Sequence, residues 1–584
     1  MLGLRQKPKP IQKQPPVAPP ALLGRRHEPT PIKKQPAAAP PALLGRCHKP
    51  KPIKKRPAAA PPALGASSNS GVRVSGRVEE PKGVQASGRE EEPKKYHKFV
   101  VPEALQTRLR TWAGRMKDTI GRVCAKSSIF RSVGVLWSSF PVRRLGTDCS
   151  GAEAPVWAAK ALQIPHRHVF SCDWNESCRD FITSTSPPYG PVFSDMLKRS
   201  MADLPDMDIY VCGFPCTPYS NLRGHSTRLL KEAAAKPYFK VKQVIKAKLP
   251  QLFILENAMG LRKVMAQVVK DMEAMREYFV FILMIDPKDL GEPIARPRYY
   301  IIGLRRDVCL TGDTSQMGSF FSECMQAMKT PVRGHAKDIL MNTAATKVQE
   351  VLKARKMKAG SLALRCAKKA GSPGVRASRG FEKTGSPGVQ AIEGLTTPRT
   401  WTLWNTVGAK HGTKELIADV SQSEGRVSTR TDGCLPTVTP GGIVCVSSLG
   451  RIIIGAEKLL VHGFPLHEMK IPQHIPDREL GRMGGNTMHL MCIGLALSMS
   501  SCLLRDEVPA PSRTSTPGDL SKVVFVGTPD PRKASKASTK PRAFGRVGVK
   551  ASPKPRAARG SAGSRKRMAF ASGPLSVKRQ RPAC

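Results

Sequence analysis

The run VCGFPCTPYS, Val211 to Ser220, ends a short apolar stretch on Gly213 and then sets Cys216 between Pro215 and Pro218. A free thiol has a pKa of about 8.5 and is mostly protonated at neutral pH, so a nucleophilic cysteine needs help from its setting. Pro215 fixes the backbone just before the sulfur and Gly213 permits a tight exit from a strand. Such a frame suits a nucleophile that must meet its target at a fixed angle, although packing alone also accounts for a cysteine in a Pro/Gly turn. A second apolar run, LFIL, ends on Glu256-Asn257. A carboxyl beside apolar side chains has its pKa raised and can hold or deliver a proton; the plainer reading is a cap on the following helix. In IARPRYYIIG, Arg296 and Arg298 occupy alternate positions entering a third run, which puts both on one face, suited to an anion or a carbonyl oxygen.

These residues need a scaffold that brings strand ends together. HVFSCDW, DIYVCG, LFILEN, YFVFILMI and YYIIGL are apolar runs that stop at Gly or polar residues, with helical patterns between them at 151–162 and 238–249. Alternating strands and helices predict an α/β fold, a mostly parallel sheet covered on both faces. Ligands of such sheets gather at the carboxyl ends of strands, where Asp173, Cys216 and Glu256 stand.

Taken in order, the elements resemble the DNA (cytosine-5) methyltransferase family. GFPCTPYS is similar to its Pro-Cys nucleophile loop, LENAMG to its Glu-Asn-Val segment and RPRYYIIG to its Gln-x-Arg-x-Arg strand. DCSGAEAPVWA resembles its Phe-x-Gly-x-Gly cofactor loop, FSCDWNE the acidic residue after the next strand, and FSDM the Asp that approaches the adenine. GRIIIGAEKLLVHGFP and GGNTMHLMCIGLAL are similar to its closing segments, so the resemblance covers roughly residues 143–500. It implies a Rossmann-like S-adenosylmethionine-dependent methyltransferase sheet with a smaller target-recognition region. It also implies a cytosine-5 methyl transfer through a covalent cysteine adduct to a flipped-out base. The catalytic set would be Cys216 as nucleophile, Glu256 at N3, Arg298 at O2, with Arg296 beside it and Asn257 tying down the cysteine loop. The cofactor would be met by Ser150, Gly151, Ala152, Asp173, Trp174, Asp195, Met196, Pro215 and Asn486. Four positions depart from the family pattern: Glu153 stands at a usual glycine, Ala258 at Val, Ile294 at Gln and Thr217 at a frequent Gln.

Composition agrees with a polyanionic partner. Lys and Arg number 95 against 44 acids, a formal charge of +51 over 584 residues. DNA is the expected substrate. An RNA (tRNA) cytosine-5 methyltransferase is the alternative, although the Cys-Phe-Thr stretch of that branch is absent; a chromatin-binding protein with a degenerate core is the third reading. The 15 cysteines include no Cys-x-x-Cys pair, so no zinc module or other metal is expected, and no apolar run of membrane-spanning length occurs.

The expected organisation is a disordered basic tail over 1–97, built on three 21-residue Pro/Ala/Lys repeats, then a catalytic domain over 98–310. A target-recognition region follows over 311–445 with a flexible insertion at about 355–395, then the closing part of the catalytic domain over 446–505. A second disordered basic tail occupies 506–584. That tail holds SRKRMAF and VKRQRP, clusters suited to nuclear import or phosphate contact, so a nuclear location is expected, with an organellar one as alternative.

Overall fold

The computed structural model describes residues 95–130, 140–219, 230, 233–369, 389–506 and 522–527, all within the compact unit Arg89–Cys584. The N-terminal repeats, the centre of the basic insertion (370–388) and the Lys/Arg-rich stretch from Pro531 onward lie outside the described residues.

The main sheet is built from β1 (Arg143–Asp148), β2 (His166–Cys172), β3 (Val192–Phe193), β4 (Ile209–Cys212), β5 (Leu252–Ala258), β6 (Tyr278–Ile285) and β7 (Arg298–Arg305). A smaller sheet uses β8 (Ile417–Asp419), β9 (Ser428–Arg430), β10 (Val444–Val446) and β11 (Arg451–Ile452). The last strand, β12 (Val523–Val526), returns to the main sheet, whose eight strands run β12-β6-β7-β5-β4-β1-β2-β3. All neighbours pair in parallel except β7, which lies antiparallel between β5 and β6.

Alternation along the strands assigns each side chain to a face. Ile209, Val211, Leu252 and Ile254 enter one core, under the helices Glu103–Lys126, Ala154–Ala161, Thr314–Met328 and Leu490–Cys502. Tyr210, Cys212, Phe253 and Leu255 enter the other, under the helices Lys236–Lys248 and Met265–Glu273. Both faces are thus covered, which is why the strands read as nearly continuous apolar runs. Every residue of the helix Leu490–Cys502 is buried, so it has no polar stripe to betray its orientation.

The chain leaves β1 toward β2 and β3, then crosses back to place β4 on the other side of β1. Asp148 at the end of β1 is the register partner of Cys212 at the end of β4. The two loops that leave this pair therefore diverge from a topological switch point, the usual place for a ligand in an open α/β sheet.

Two boundaries need correction. The tail expected to be disordered over 506–584 contains β12, which pairs with β6 and buries Val523 and Val526. Four residues, VVFV, can form a strand here because an existing edge supplies their hydrogen bonds. Within the insertion expected to be flexible over 355–395, residues up to Lys369 continue the helix Thr346–Lys369, and Ile392 is buried in the core. Among the described residues no helix is long and apolar enough to cross a membrane, and no three side chains form a metal-binding group.

Gly485 marks a tight junction. A Cβ built there would lie 2.1 Å from the Pro440 backbone nitrogen and 2.4 Å from Thr439 C, so the helix Asp477–Asn486 and the segment at 439–440 touch backbone to backbone. Gly485→Ala is expected to cost about 3 kcal/mol in a denaturant melt, because neither backbone can yield. Gly114→Ala, in a helix where a new Cβ meets nothing within 4 Å, is expected to stabilise by about 0.5–1 kcal/mol in the same measurement.

Candidate active site

Cys216 follows β4 on the loop that Gly213 opens, and its side chain is exposed. The loop is pinned from the neighbouring strand: the Asn257 amide, fully buried in β5, donates to the Phe214 carbonyl at 2.8 Å, while its own oxygen accepts from the Ala258 N–H at 2.9 Å. Phe214 is also buried, edge-on to Tyr219, so both sides of the cysteine are anchored.

Glu256 precedes Asn257, and its carboxylate oxygen lies 3.1 Å from Arg298 Nε. The pairing follows from register: β5 and β7 are antiparallel neighbours, with Ala258 opposite Arg298 and Glu256 opposite Tyr300. Burial raises the Glu256 pKa above the usual carboxylate range, and the Arg298 and Arg296 charges only partly offset it. The Cys216 thiol is raised as well, first by desolvation against the sheet end and then by Glu256, with Arg298 and Arg296 pulling it down. One side of the sulfur faces solvent while the other is enclosed by protein. These electrostatic couplings bring cysteine, acid and guanidinium into one neighbourhood.

Arg296 has a different task from the catalytic one expected of it. It is 3% exposed, and it donates from Nη1 to the Val438 carbonyl at 2.8 Å and from Nη2 to the Gly485 and Thr487 carbonyls at 3.0 and 2.7 Å. Desolvation, then Arg298, lowers its pKa to about 9. Both terminal nitrogens are committed to backbone, while Nε is buried with no hydrogen-bond partner, which makes Arg296 a positioning residue. Arg298 uses Nη1 on the Pro297 carbonyl. Nη2 is left without a partner among the described residues. Ile294, where the family pattern it resembles has Gln, is buried where 293–295 pair with Leu435.

The second loop carries most of the expected cofactor residues. Cys149, Gly151 and Glu153 all have positive φ, at 51°, 55° and 59°. This left-handed turn is stitched inward: the Ser150 N–H donates to the Cys172 carbonyl, and the Ser150 hydroxyl accepts from the Cys172 N–H. Asp173, just past β2, accepts from the Gly151 N–H and the Asn175 N–H, each at 2.9 Å. Trp174 beside it is 70% exposed, an indole with no packing role in the fold. Asp195 is half-buried and caps its own turn by accepting from Leu197 N–H. Asn486 is exposed at the end of its helix, and Pro215 is half-buried. Four expected cofactor residues are buried: Ser150 and Asp173, each 8% exposed, and two that are enclosed outright. Ala152 is fully buried, so only its backbone can face a ligand, and Met196 is buried with its sulfur 3.7 Å from Cys149 Sγ.

Some residues of the site carried no sequence signal. The Met488 methyl lies 3.0 Å from where a Gly213 side chain would begin, which closes the floor between the two loops. Behind it, Arg199 forms a bidentate pair with Asp148 at 2.6 and 2.5 Å, and the Tyr210 hydroxyl donates to the same carboxylate. By contrast, Arg451 and Glu457 belong to the GRIIIGAEKLLVHGFP segment singled out from sequence; both are fully buried and pair through two 2.8 Å hydrogen bonds that hold the small sheet against the closing segment.

With this geometry in place, the comparisons with known proteins can be weighed. Residues 149–400 match the family described as C-5 cytosine-specific DNA methylase. The match spans less than half of the chain. Cys216, Glu256, Asn257, Arg296 and Arg298 all lie inside the methylase match, and Asn486 lies beyond it. Type II methyltransferase M.BsuFI of Bacillus subtilis is 30% identical over 151 residues, 24% of this chain and 34% of that protein. M.HaeII of Haemophilus aegyptius is 29% identical over 143 residues, 24% of this chain and 43% of its own. The DNA (cytosine-5-)-methyltransferase DMT5 of Cryptococcus neoformans var. grubii is 24% identical over 409 residues, 61% of this chain and 17% of that protein. The chain thus matches less than half the length of each of these relatives.

The electrostatics around Cys216 can be tested without turnover. Alkylation of Cys216 by iodoacetamide, followed by mass spectrometry across a pH series, is expected to show a midpoint above that of a free thiol. Glu256→Gln removes the charge that raises it and should shift the midpoint to lower pH; Arg298→Gln should shift it the other way.

Proposed function

We propose that the chain is a DNA (cytosine-5-)-methyltransferase that methylates C5 of a cytosine extruded from the duplex. The observation that carries this reading is the exposed Cys216 on a loop tied down by Asn257, beside the buried Glu256–Arg298 pair. A base inside a stacked duplex cannot reach that sulfur, so the target must be flipped out.

C5 of cytosine is too electron-poor to take a methyl group directly. Cys216 gives up its proton and its sulfur bonds to C6, which pushes electron density onto C5. Glu256, held toward its neutral form by burial, donates a hydrogen bond at N3 as negative charge develops in the ring. Arg298 holds Glu256 through Nε and has Nη2 available for the O2 carbonyl. Once C5 is methylated, a base removes its proton, the C6–S bond breaks and Cys216 is regenerated. Arg296 and Asn257 touch none of the reacting atoms; they fix the loops that do.

The left-handed turn at 149–153 fits a ligand with a carboxylate and ribose hydroxyls. Its backbone is bared by Gly151, the Asp173 oxygens face the same turn, and the Trp174 indole stands exposed beside them. S-adenosylmethionine held there supplies the methyl group. The surplus of 51 positive charges supports DNA as partner through salt-sensitive phosphate contacts, and the basic clusters after residue 530 support a nuclear location.

Incubation with tritiated S-adenosylmethionine and either DNA or transfer RNA tests the reading. Label is expected on DNA and should fall to background with Cys216→Ser, while DNA containing 5-fluorocytosine should trap a covalent complex. Label on transfer RNA alone, or DNA retention with no transfer, would overturn it.

A further inference from the structure

Glu153 is the departure from the family pattern that the proposed chemistry does not use. Its φ of 59° is a conformation that suits glycine, and its side chain is fully buried. A buried acid in a strained turn is doubly unfavourable unless its contacts repay it, so those contacts are informative.

One carboxyl oxygen, Oε1, sits 2.7 Å from Thr147 Oγ1 of β1 and 2.5 Å from Ser171 Oγ of β2. Oε2 is buried with no hydrogen-bond partner. Among the described residues no lysine or arginine pairs with the acid. The only cationic candidate is His168, whose Nε2 lies 3.8 Å away, and the Asp173 carboxylate adds a repulsion. An ionised Glu153 would thus be a buried charge with one oxygen unsolvated, the arrangement folded proteins avoid.

Counting protons points the same way. His168 Nδ1 faces the Ser186 carbonyl at 3.1 Å, so it carries the hydrogen of the neutral ring. Desolvation, only partly offset by backbone hydrogen bonds, lowers the His168 pKa to about 4, which leaves Nε2 bare. The Ser171 hydroxyl lies 2.9 Å from that Nε2 and has one proton to give. With Glu153 ionised, Ser171 would spend that proton on Oε1 at 2.5 Å and leave Nε2 without a donor; with the proton on Nε2, the carboxyl supplies the second one. The chain reads Glu153 Oε1–H to Ser171 Oγ–H to His168 Nε2. Thr147 donates into Oε1 from the other side, and Ser150 bonds Thr147 in turn.

We propose that Glu153 is a positioning residue that works as a neutral acid: by donating to Ser171 it fastens the left-handed turn to β1 and β2 and so sets the affinity for S-adenosylmethionine. The inference rests on the reading that this turn receives the cofactor. Desolvation, partly offset by the Ser171, Thr147 and Ser150 hydroxyls, raises the Glu153 pKa to about 7, so the proton is lost just above neutrality. The sign follows from that direction. A carboxyl whose folded pKa lies above its unfolded value contributes stability below the unfolded value and loses it as pH rises through the folded one.

The test is calorimetric binding of S-adenosylhomocysteine at pH 6 and pH 9 to the full chain and to its Glu153→Gln and Glu153→Ala variants, with thermal melts of each ligand-free protein. Gln keeps the shape and can donate to Ser171 at either pH. The wild-type Kd is expected to rise about tenfold more than that of Glu153→Gln between the two pH values. The ligand's own amino group titrates equally in both, so the ratio isolates the acid. Glu153→Ala should bind about tenfold more weakly than Glu153→Gln at both pH values. The melting temperature of the wild type should fall relative to Glu153→Gln as pH rises. Parallel Kd values in wild type and Glu153→Gln, or tight binding by Glu153→Ala, would overturn the proposal. A melt difference that persists while no variant binds the ligand would instead retain the neutral acid and reject the cofactor reading of the turn.

Discussion

Three chain segments far apart in sequence meet on one guanidinium. Arg296 donates to Val438, 142 residues on, and to Gly485 and Thr487, 189 and 191 residues on. A buried positive charge is costly unless its donors are satisfied, so the three carbonyls cannot drift without exposing that cost. The clamp holds the segments around Val438 and Gly485–Thr487 against the entry to β7. With Arg296 occupied in this way, Arg298 two residues later is the arginine that reaches Glu256, and the same anchoring keeps Met488 against Gly213 under the cysteine loop.

Desolvation gives the site its chemical state. The groove that hides Glu256 from water raises its pKa, and the same enclosure raises the Cys216 thiol. Both groups are therefore held toward their protonated forms by burial, with the arginine charges partly opposing the trend. Such a site is quiet until a substrate changes its surroundings. In the proposed reaction, an electron-poor ring placed over the sulfur and contacted by Glu256 and Arg298 would supply the withdrawal that favours addition. Chemistry is thereby coupled to delivery of the base.

The two loops leaving β1 and β4 divide the labour. The cysteine loop is rigid because prolines and a single amide hydrogen bond limit it. The turn at 149–153 is rigid because hydroxyls of Thr147, Ser150 and Ser171 converge on it while three of its residues hold left-handed backbone. Strain of that kind persists only where contacts over-determine the conformation. Beneath both, the Asp148–Arg199–Tyr210 cluster ties the end of β1 to the segment that carries Asp195 and Met196.

Much of this was readable from sequence because it is local. The apolar runs of β2, β4, β5, β6 and β7 declare themselves since strands buried on both faces need near-continuous apolar residues. Cys216 in its Pro/Gly frame, and Glu256-Asn257 at a strand end, needed only neighbouring residues to be noticed. β1 and β12 were not recognised: one is RRLGTD, with a buried Arg143 donating to Gln251 and Arg505, and the other is four residues that are a strand only beside β6. Equally, sequence could not show that Arg296 serves backbone while Arg298 serves Glu256, since both alternate identically along the chain. Nor could it show that Glu153 meets Ser171 and His168 of another strand. Residue type and spacing determined which groups could react and which segments could be strands. Partnership, burial and protonation were decided by tertiary packing, because hydrogen bonds and desolvation depend on what lies across space.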